Sequence, residues 1–266
     1  MRFVEPHLHA DLATTHDMLS MSVAGVEAVV FLAKHVVDPL TKPTSLFRYF
    51  ESLFSYYKER AENFGIKVFI GLSVPVIGLS REEVEPFYGQ LKDMLRRSEV
   101  VAVGETGLEW ATEDEIEKLK AQLAMAKEMN LPVICHTPIP RAPHKLNAIK
   151  KILEVAKEMS FPLDKLVIDH NDEKTLRIVL NEGAWAAIST CFDKLTPREV
   201  ALIIKELLER NEELDRVIVN SEYGWGYQGY FSVPRIAFEA KLLGIKRSEI
   251  EKIAFENPIK LFRLKL

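Results

Sequence analysis

Residues 100–108 read VVAVGETGL: four apolar residues run without alternation into Gly104 and then a carboxylate, Glu105. A strand covered on both faces needs this kind of continuous apolar run. Seven other short apolar runs rich in β-branched residues resemble it, at 2–9, 27–33, 67–74, 132–137, 165–170, 184–190 and 216–222. Their ends recur about every 30 residues, the length of a βα unit, and eight such units fill a (β/α)8 TIM barrel of about 250 residues. The same α/β units in an open, doubly wound sheet are the competing arrangement. Helices between the runs have marked ends. Ser80 with Glu83, Thr112 with Glu115, Thr196 with Glu199 and Ser248 with Glu251 each fit a capping box, and Gly65, Gly183 and Gly244 fit left-handed stops. The longest helical patterns cover 45–64 and 112–130.

The composition narrows the function classes. With 266 residues, 47% hydrophobic and 28% charged, the chain is neither disordered nor fibrous. A net charge of −4 supplies no global positive field for holding nucleic acid. Two cysteines, Cys135 and Cys191, exclude a disulfide scaffold and a thiolate zinc finger and read as buried thiols. There is no Pro/Gly/Ser-rich linker, so one domain over 1–266 is expected. The sequence shows neither a signal-like segment nor an apolar stretch of spanning length, so a cytoplasmic protein without a membrane partner is expected. Oligomeric state is not legible.

In a barrel, functional groups belong at the C-terminal ends of the strands. His7 and His9 close the first run, Glu105 the fourth, His136 the fifth, His170 the sixth and Glu222 the eighth. Positions i and i+2 share a face, so His7 and His9 can enter the mouth together. A lone strand-end histidine is commonly structural; the coincidence of four with two carboxylates points to two divalent ions, Zn, Mn or Mg, sharing a carboxylate. Asp11 is placed to orient a ligand imidazole. Asp169, next to His170, is expected on the opposite face in a structural role. His16 and His144 read as local helix-start or substrate-loop residues, and His35 as a mouth or surface-loop residue. Lys34, Arg141 and Lys174 are candidates for holding negative charge. The stretch with Gly224, Trp225, Gly226, Tyr227, Gly229 and Tyr230 suggests a substrate wall, with Trp225 its candidate contact.

These residues resemble the TatD-related branch of the metal-dependent hydrolases. That family's acid-x-His-x-His-x-Asp opening is matched by Glu5, His7, His9 and Asp11, and its Gly-Glu-x-Gly-Leu-acid by Gly104, Glu105, Gly107, Leu108 and Glu109. Its Pro-Val-Ile-x-His is matched by Pro132, Val133, Ile134 and His136, and its C-terminal Asn-x-x-x-Leu-Phe by Asn257, Leu261 and Phe262. The resemblance spans the chain. It implies a (β/α)8 fold with one ion on His7, His9 and Glu222, another on His136 and His170, and Glu105 bridging. Three departures stand out: Glu222 replaces the usual Asp, Pro138 stands where an Arg is common, and Asn171-Asp172-Glu173-Lys174 replaces a Cys-Phe-Ser-Gly-like turn. The expected reaction is hydrolysis of a phosphoester in a small molecule or at a nucleic-acid end, with Glu222 taking the proton of the attacking water. Cleavage of an amide, lactone or cyclic amidine is the alternative, and a non-catalytic metal-binding scaffold is a third.

Overall fold

The computed structural model describes residues 1–33, 42–191, 193–224, 229 and 231–266. Strands β1 (Phe3–Leu8), β2 (Val26–Leu32), β3 (Lys67–Leu72), β4 (Val100–Gly107), β5 (Val133–His136), β6 (Leu166–Ile168), β7 (Trp185–Ser189) and β8 (Val217–Asn220) pair in parallel, each with the next in chain order. The order never reverses, which rules out the doubly wound sheet. β1 meets β8 where the His9 N–H donates to the Tyr223 carbonyl at 2.7 Å. Beside this contact the buried Glu5 carboxylate accepts the Ser221 N–H at 3.1 and 3.2 Å. The result is a single (β/α)8 barrel.

The helices are α1 (Thr15–Val23), α2 (Pro43–Ser52), α3 (Lys58–Glu62), α4 (Arg81–Val84), α5 (Tyr88–Met94), α6 (Glu113–Met129), α7 (Lys145–Glu158), α8 (Thr175–Asn181), α9 (Pro197–Glu209), α10 (Ser232–Leu242), α11 (Arg247–Glu251) and α12 (Asn257–Phe262). Capping boxes form at Ser80, Thr112 and Thr196 as the sequence predicts. A fourth forms at Thr14 with Asp17, an acid one methylene shorter than the usual partner. Ser248 does not cap: it lies inside α11, where Lys246 is the cap and makes no side-chain bond. The 45–64 pattern divides into α2, a π turn at Leu53–Tyr57 and α3.

Two apolar layers account for the continuous runs. Ile134, Val167, Ala187 and Ile218 point into the barrel with Val4, Ala28, Val30 and Leu32, and Phe255, Leu261 and Phe262 join this inner cluster. Arg2, just before β1, stacks its guanidinium 4.1 Å above the Phe255 ring, placing that segment at the strand-start end. The alternate residues Val133, Cys135, Leu166, Ile168, Ala186 and Val217 pack outward against the helices. A side chain two positions beyond an inward residue also points inward. His136, Asp169, Ser189 and Asn220 therefore form the next inner layer, at the C-terminal mouth. Among the described residues no helix is long and apolar enough to cross a membrane.

Lys145, fully buried at the first position of α7, fastens the β5–α7 connection. Its ammonium donates to Thr137 Oγ1 at 2.7 Å and to the Pro138 carbonyl at 2.5 Å. Burial pushes its pKa down to about 7. Between about pH 7 and pH 10.4 the unfolded chain binds a proton here that the folded chain does not, so this residue makes the unfolding free energy rise with pH across that window. Urea unfolding of the metal-free protein at pH 7 and pH 10 should show a smaller rise for Lys145→Met than for wild type, by an amount on the order of 4 kcal/mol at most.

Candidate metal centre

The mouth is organised by Asp169. The expectation that it faces away from the site is wrong, for a geometric reason: β6 ends at Ile168, Asp169 continues the inward row of Val167, and His170 follows in the left-handed region with φ 63°. Alternation no longer separates the two side chains, and both reach the centre. The buried Asp169 carboxylate accepts from His7 Nδ1 at 2.6 Å, Ser189 Oγ at 2.8 Å, Asn220 Nδ2 at 2.9 Å and the His170 N–H at 2.7 Å. Burial alone would raise its pKa, but the His170 and His7 imidazoles and the Asn220 amide hold it far below the usual carboxylate range.

Four imidazoles then have one nitrogen committed. His7 gives Nδ1–H to Asp169, and His9 gives Nδ1–H to the Leu32 carbonyl at 3.3 Å. His136 gives Nε2–H to Glu109 at 2.8 Å. The Ser189 hydroxyl spends its proton on Asp169, so it accepts Nδ1–H from His170 at 2.8 Å. The other nitrogens carry lone pairs in the neutral rings, and all converge on Glu105. His7 Nε2 and His9 Nε2 stand 3.3 Å apart, and 3.5 and 3.9 Å from Glu105 Oε2. His136 Nδ1 and His170 Nε2 stand 3.2 Å apart, and 3.0 and 3.2 Å from Glu105 Oε1. Donors about 2.1 Å from a tetrahedral ion stand about 3.4 Å from one another. Lone pairs facing each other at that spacing in a buried site require a shared cation, and these residues fit one.

Among the described residues, donor atoms of His7, His9, Glu105 and Glu222 lie within 4.8 Å of one another, as do those of Glu105, His136 and His170. All are buried. The six ligands expected from sequence are thus brought together. Glu222 lies beyond β8 with φ 46°, aimed inward by a turn rather than by the strand pleat. Two glycines permit the crossing backbones. A Cβ on Gly107 would sit 2.2 Å from the His136 carbonyl oxygen, and one on Gly224 would sit 2.5 Å from that of His9; both have positive φ.

Without metal, protons stand in for the cations. Burial lowers the pKa of His7, but the Glu105 charge and the Asp169 hydrogen bond outweigh it and raise the pKa well above the usual value. In His136 burial is likewise outweighed by bonds to Glu105 and Glu109, taking it up to about 9. His170 moves the other way, lowered by burial and by the Lys194 charge. Burial raises Glu222 against the opposing pull of Lys194 and His7. Metal loading should therefore expel protons from His7 and His136. Calorimetric titrations at pH 8 in two buffers of different ionisation enthalpy should give apparent heats that differ by the protons released.

The remaining candidates take varied places, some as expected and some not. Glu109 is a further site residue, binding His136 and lying 3.5 Å from His144 Nε2. His144 stands at the N-cap of α7 but makes no side-chain cap bond; its ring stacks on Trp110 at 4.2 Å between centroids. Asp11 acts on the phenols of Tyr49 and Tyr57, adding to the rise that burial causes, while Asp169 bonds the His7 imidazole and Glu109 that of His136. Arg141 is engaged by Glu199 at 3.1 Å and Glu173 at 3.5 Å. Lys174 is exposed at the start of α8, and His16 lies within the first turn of α1. Cys135 and Cys191 are buried free thiols whose pKa burial raises. Lys34, His35, Trp225, Gly226, Tyr227 and Tyr230 lie outside the described residues.

Lys194 was not legible as a site residue. It follows β7 by five residues, yet its side chain is 2% exposed and its ammonium contacts the Glu222 carboxylate. Burial would lower its pKa; Glu222 outweighs that and raises it. Asp169→Asn should leave the fold intact and weaken metal binding about 10- to 100-fold, because His7 loses the carboxylate that orients it. Chelator competition, with circular dichroism as the fold control, measures this.

The sequence profile described as TatD related DNase matches residues 7–263. The chain is 27% identical over 261 residues to an uncharacterized metal-dependent hydrolase of Methanocaldococcus jannaschii, covering 98% of this chain and all of that one. A TatD-like protein from Archaeoglobus fulgidus, known from a crystal structure, is 30% identical with a TM-score of 0.75, over 98% of this chain and all of that one. A phosphotriesterase homology protein from Escherichia coli, crystallised with phosphate in its active site, shares the fold at 14% identity and a TM-score of 0.70, over 98% of both chains. The profile reaches from the first candidate ligand to the last helix, and the chain belongs to the TatD-related family of metal-dependent hydrolases.

Proposed function

We propose that this protein is a hydrolase with a binuclear divalent-metal centre that cleaves phosphoesters, either small ones or those at a nucleic-acid end. The observation that carries the reading is the division of Glu105: Oε2 faces His7 and His9 while Oε1 faces His136 and His170. One carboxylate serving two imidazole pairs suits two ions sharing a bridge. The imidazoles favour Zn over the harder Mg, and the carboxylates beside them also suit Mn. The residues that would hold the ions are His7, His9 and Glu222 on one side and His136 and His170 on the other, with Glu105 between; bound there, divalent ions would supply a lowered pKa for water and polarisation of a phosphoryl or carbonyl oxygen.

The chain's own residues prepare that chemistry. Asp169 and Glu109 fix the tautomers and planes of His7 and His136, and Ser189 does the same for His170. Glu222, its proton affinity raised by burial, accepts the proton of the attacking water and returns it to the leaving oxygen. The family's description as a DNase and the phosphate held by the Escherichia coli fold relative favour a phosphoester over an amide or lactone. The net charge of −4 favours a strand end or small ester over an extended duplex.

Protein reconstituted with Zn or Mn should carry about two ions per chain and hydrolyse bis(p-nitrophenyl) phosphate, with activity removed by chelator and restored by metal. Elemental analysis should give about one ion for the His7→Ala/His9→Ala variant, with activity at least about 10³-fold lower. A single ion in wild type overturns the binuclear reading. Two ions with turnover of lactones or amides alone overturn the substrate, and two ions without turnover on any of these leave a scaffold.

A further inference from the structure

We propose that Lys194 is the anion-holding residue of this site, contacting the negatively charged oxygen of a phosphate-bearing substrate beside Glu222. The inference rests on the phosphoester reading of the same centre and adds the residue that recognises the substrate's charge.

Three observations support it. First, the ammonium lies inside the mouth: its side chain is 2% exposed, and it contacts Glu222, one of the groups that converge with His7, His9 and Glu105. Second, among the described residues its hydrogen-bonding capacity is only partly used. An ammonium has three N–H donors; Glu222 takes one, Asp193 Oδ1 stands 3.5 Å away and Cys191 Sγ 4.0 Å away, both at or beyond ordinary reach for a strong bond. Third, its charge is wrong for a site that only binds metal. A fixed cation against a candidate ligand repels a divalent ion and competes for the carboxylate, and burial opposes keeping a lysine charged. Such a placement is useful when negative charge arrives with the substrate and Glu222 is engaged by the metal.

Of the cations named from sequence, Lys34 lies outside the described residues, and Arg141 and Lys174 are less suitable. Arg141 is committed to Glu199 and Glu173, and Lys174 is exposed. Lys145 directs its ammonium to Thr137 and Pro138. Among the described residues, Lys194 is the lysine whose ammonium touches a candidate metal ligand.

Inorganic phosphate is the probe, titrated calorimetrically into Zn-reconstituted wild type, Lys194→Met and Lys194→Arg, with bound metal measured on the same samples. Lys194→Met should keep the wild-type metal content and bind phosphate about 10- to 100-fold more weakly, the loss of a charge-assisted contact, and Lys194→Arg should recover part of it. Phosphate binding by Lys194→Met within twofold of wild type overturns the proposal. Loss of metal in Lys194→Met, or failure of wild type to bind phosphate, also overturns it; the former would make Lys194 a positioning residue for Glu222. Lys194→Arg tests the same point should the Met variant not fold: a wild-type fold without recovered phosphate binding counts against the assignment. Phosphodiester turnover is read separately. Lys194-dependent phosphate binding without turnover would overturn the phosphoesterase reading and leave the anion assignment standing.

Discussion

The buried carboxylate of Asp169 ties four parts of the barrel to one point. It accepts from His7 beyond the middle of β1, from the His170 backbone after β6, from Ser189 at the end of β7 and from Asn220 at the end of β8. A charge at this depth is tolerable only when surrounded by donors, and here they come from strands far apart in sequence. The same bonds set which nitrogen of His7 faces the centre and which proton Ser189 has left for His170. The placing of these strand ends and the tautomers of the candidate ligands therefore share one buried ion's solvation.

Charge balance governs the rest of the mouth. Glu105, Glu109, Asp169 and Glu222 bring carboxylates into a region that burial would otherwise neutralise. Protons on His7 and His136 and the Lys194 ammonium offset them in the metal-free protein. Divalent ions would displace the protons but not the lysine. The arrangement thus retains one organic cation beside a candidate metal-binding carboxylate, where an incoming anion would meet it.

Gly107 and Gly224 show how closely the backbone is fitted around these side chains. Each sits where a Cβ would collide with the carbonyl of a ligand histidine, Gly107 against His136 and Gly224 against His9. The positive φ angles at His170 and Glu222 serve the same end for L residues: the chain turns sharply as it leaves β6 and β8, and the side chains swing over the mouth.

The eight apolar runs, the barrel they imply and six candidate donors at the strand ends were legible in the sequence because they rest on local periodicity and on where a βα unit must end. Three capping boxes were legible for the same reason, while Ser248 fitted the pattern one residue inside its helix. Asp169, Glu109 and Lys194 were not legible in their roles. The inward facing of Asp169 was available from the parity of Val167, but strict alternation with His170 hid it, since alternation ends where the strand does. Lys194 carries no local mark at all; five residues past a strand end, it reads as an ordinary surface lysine. Its partner lies 28 positions on, and the partner of His7 lies 162 positions on. Local sequence dictates pleat and helix period, whereas tautomers, charge partners and the burial of an ammonium are decided only when closure of the barrel brings the strand ends together.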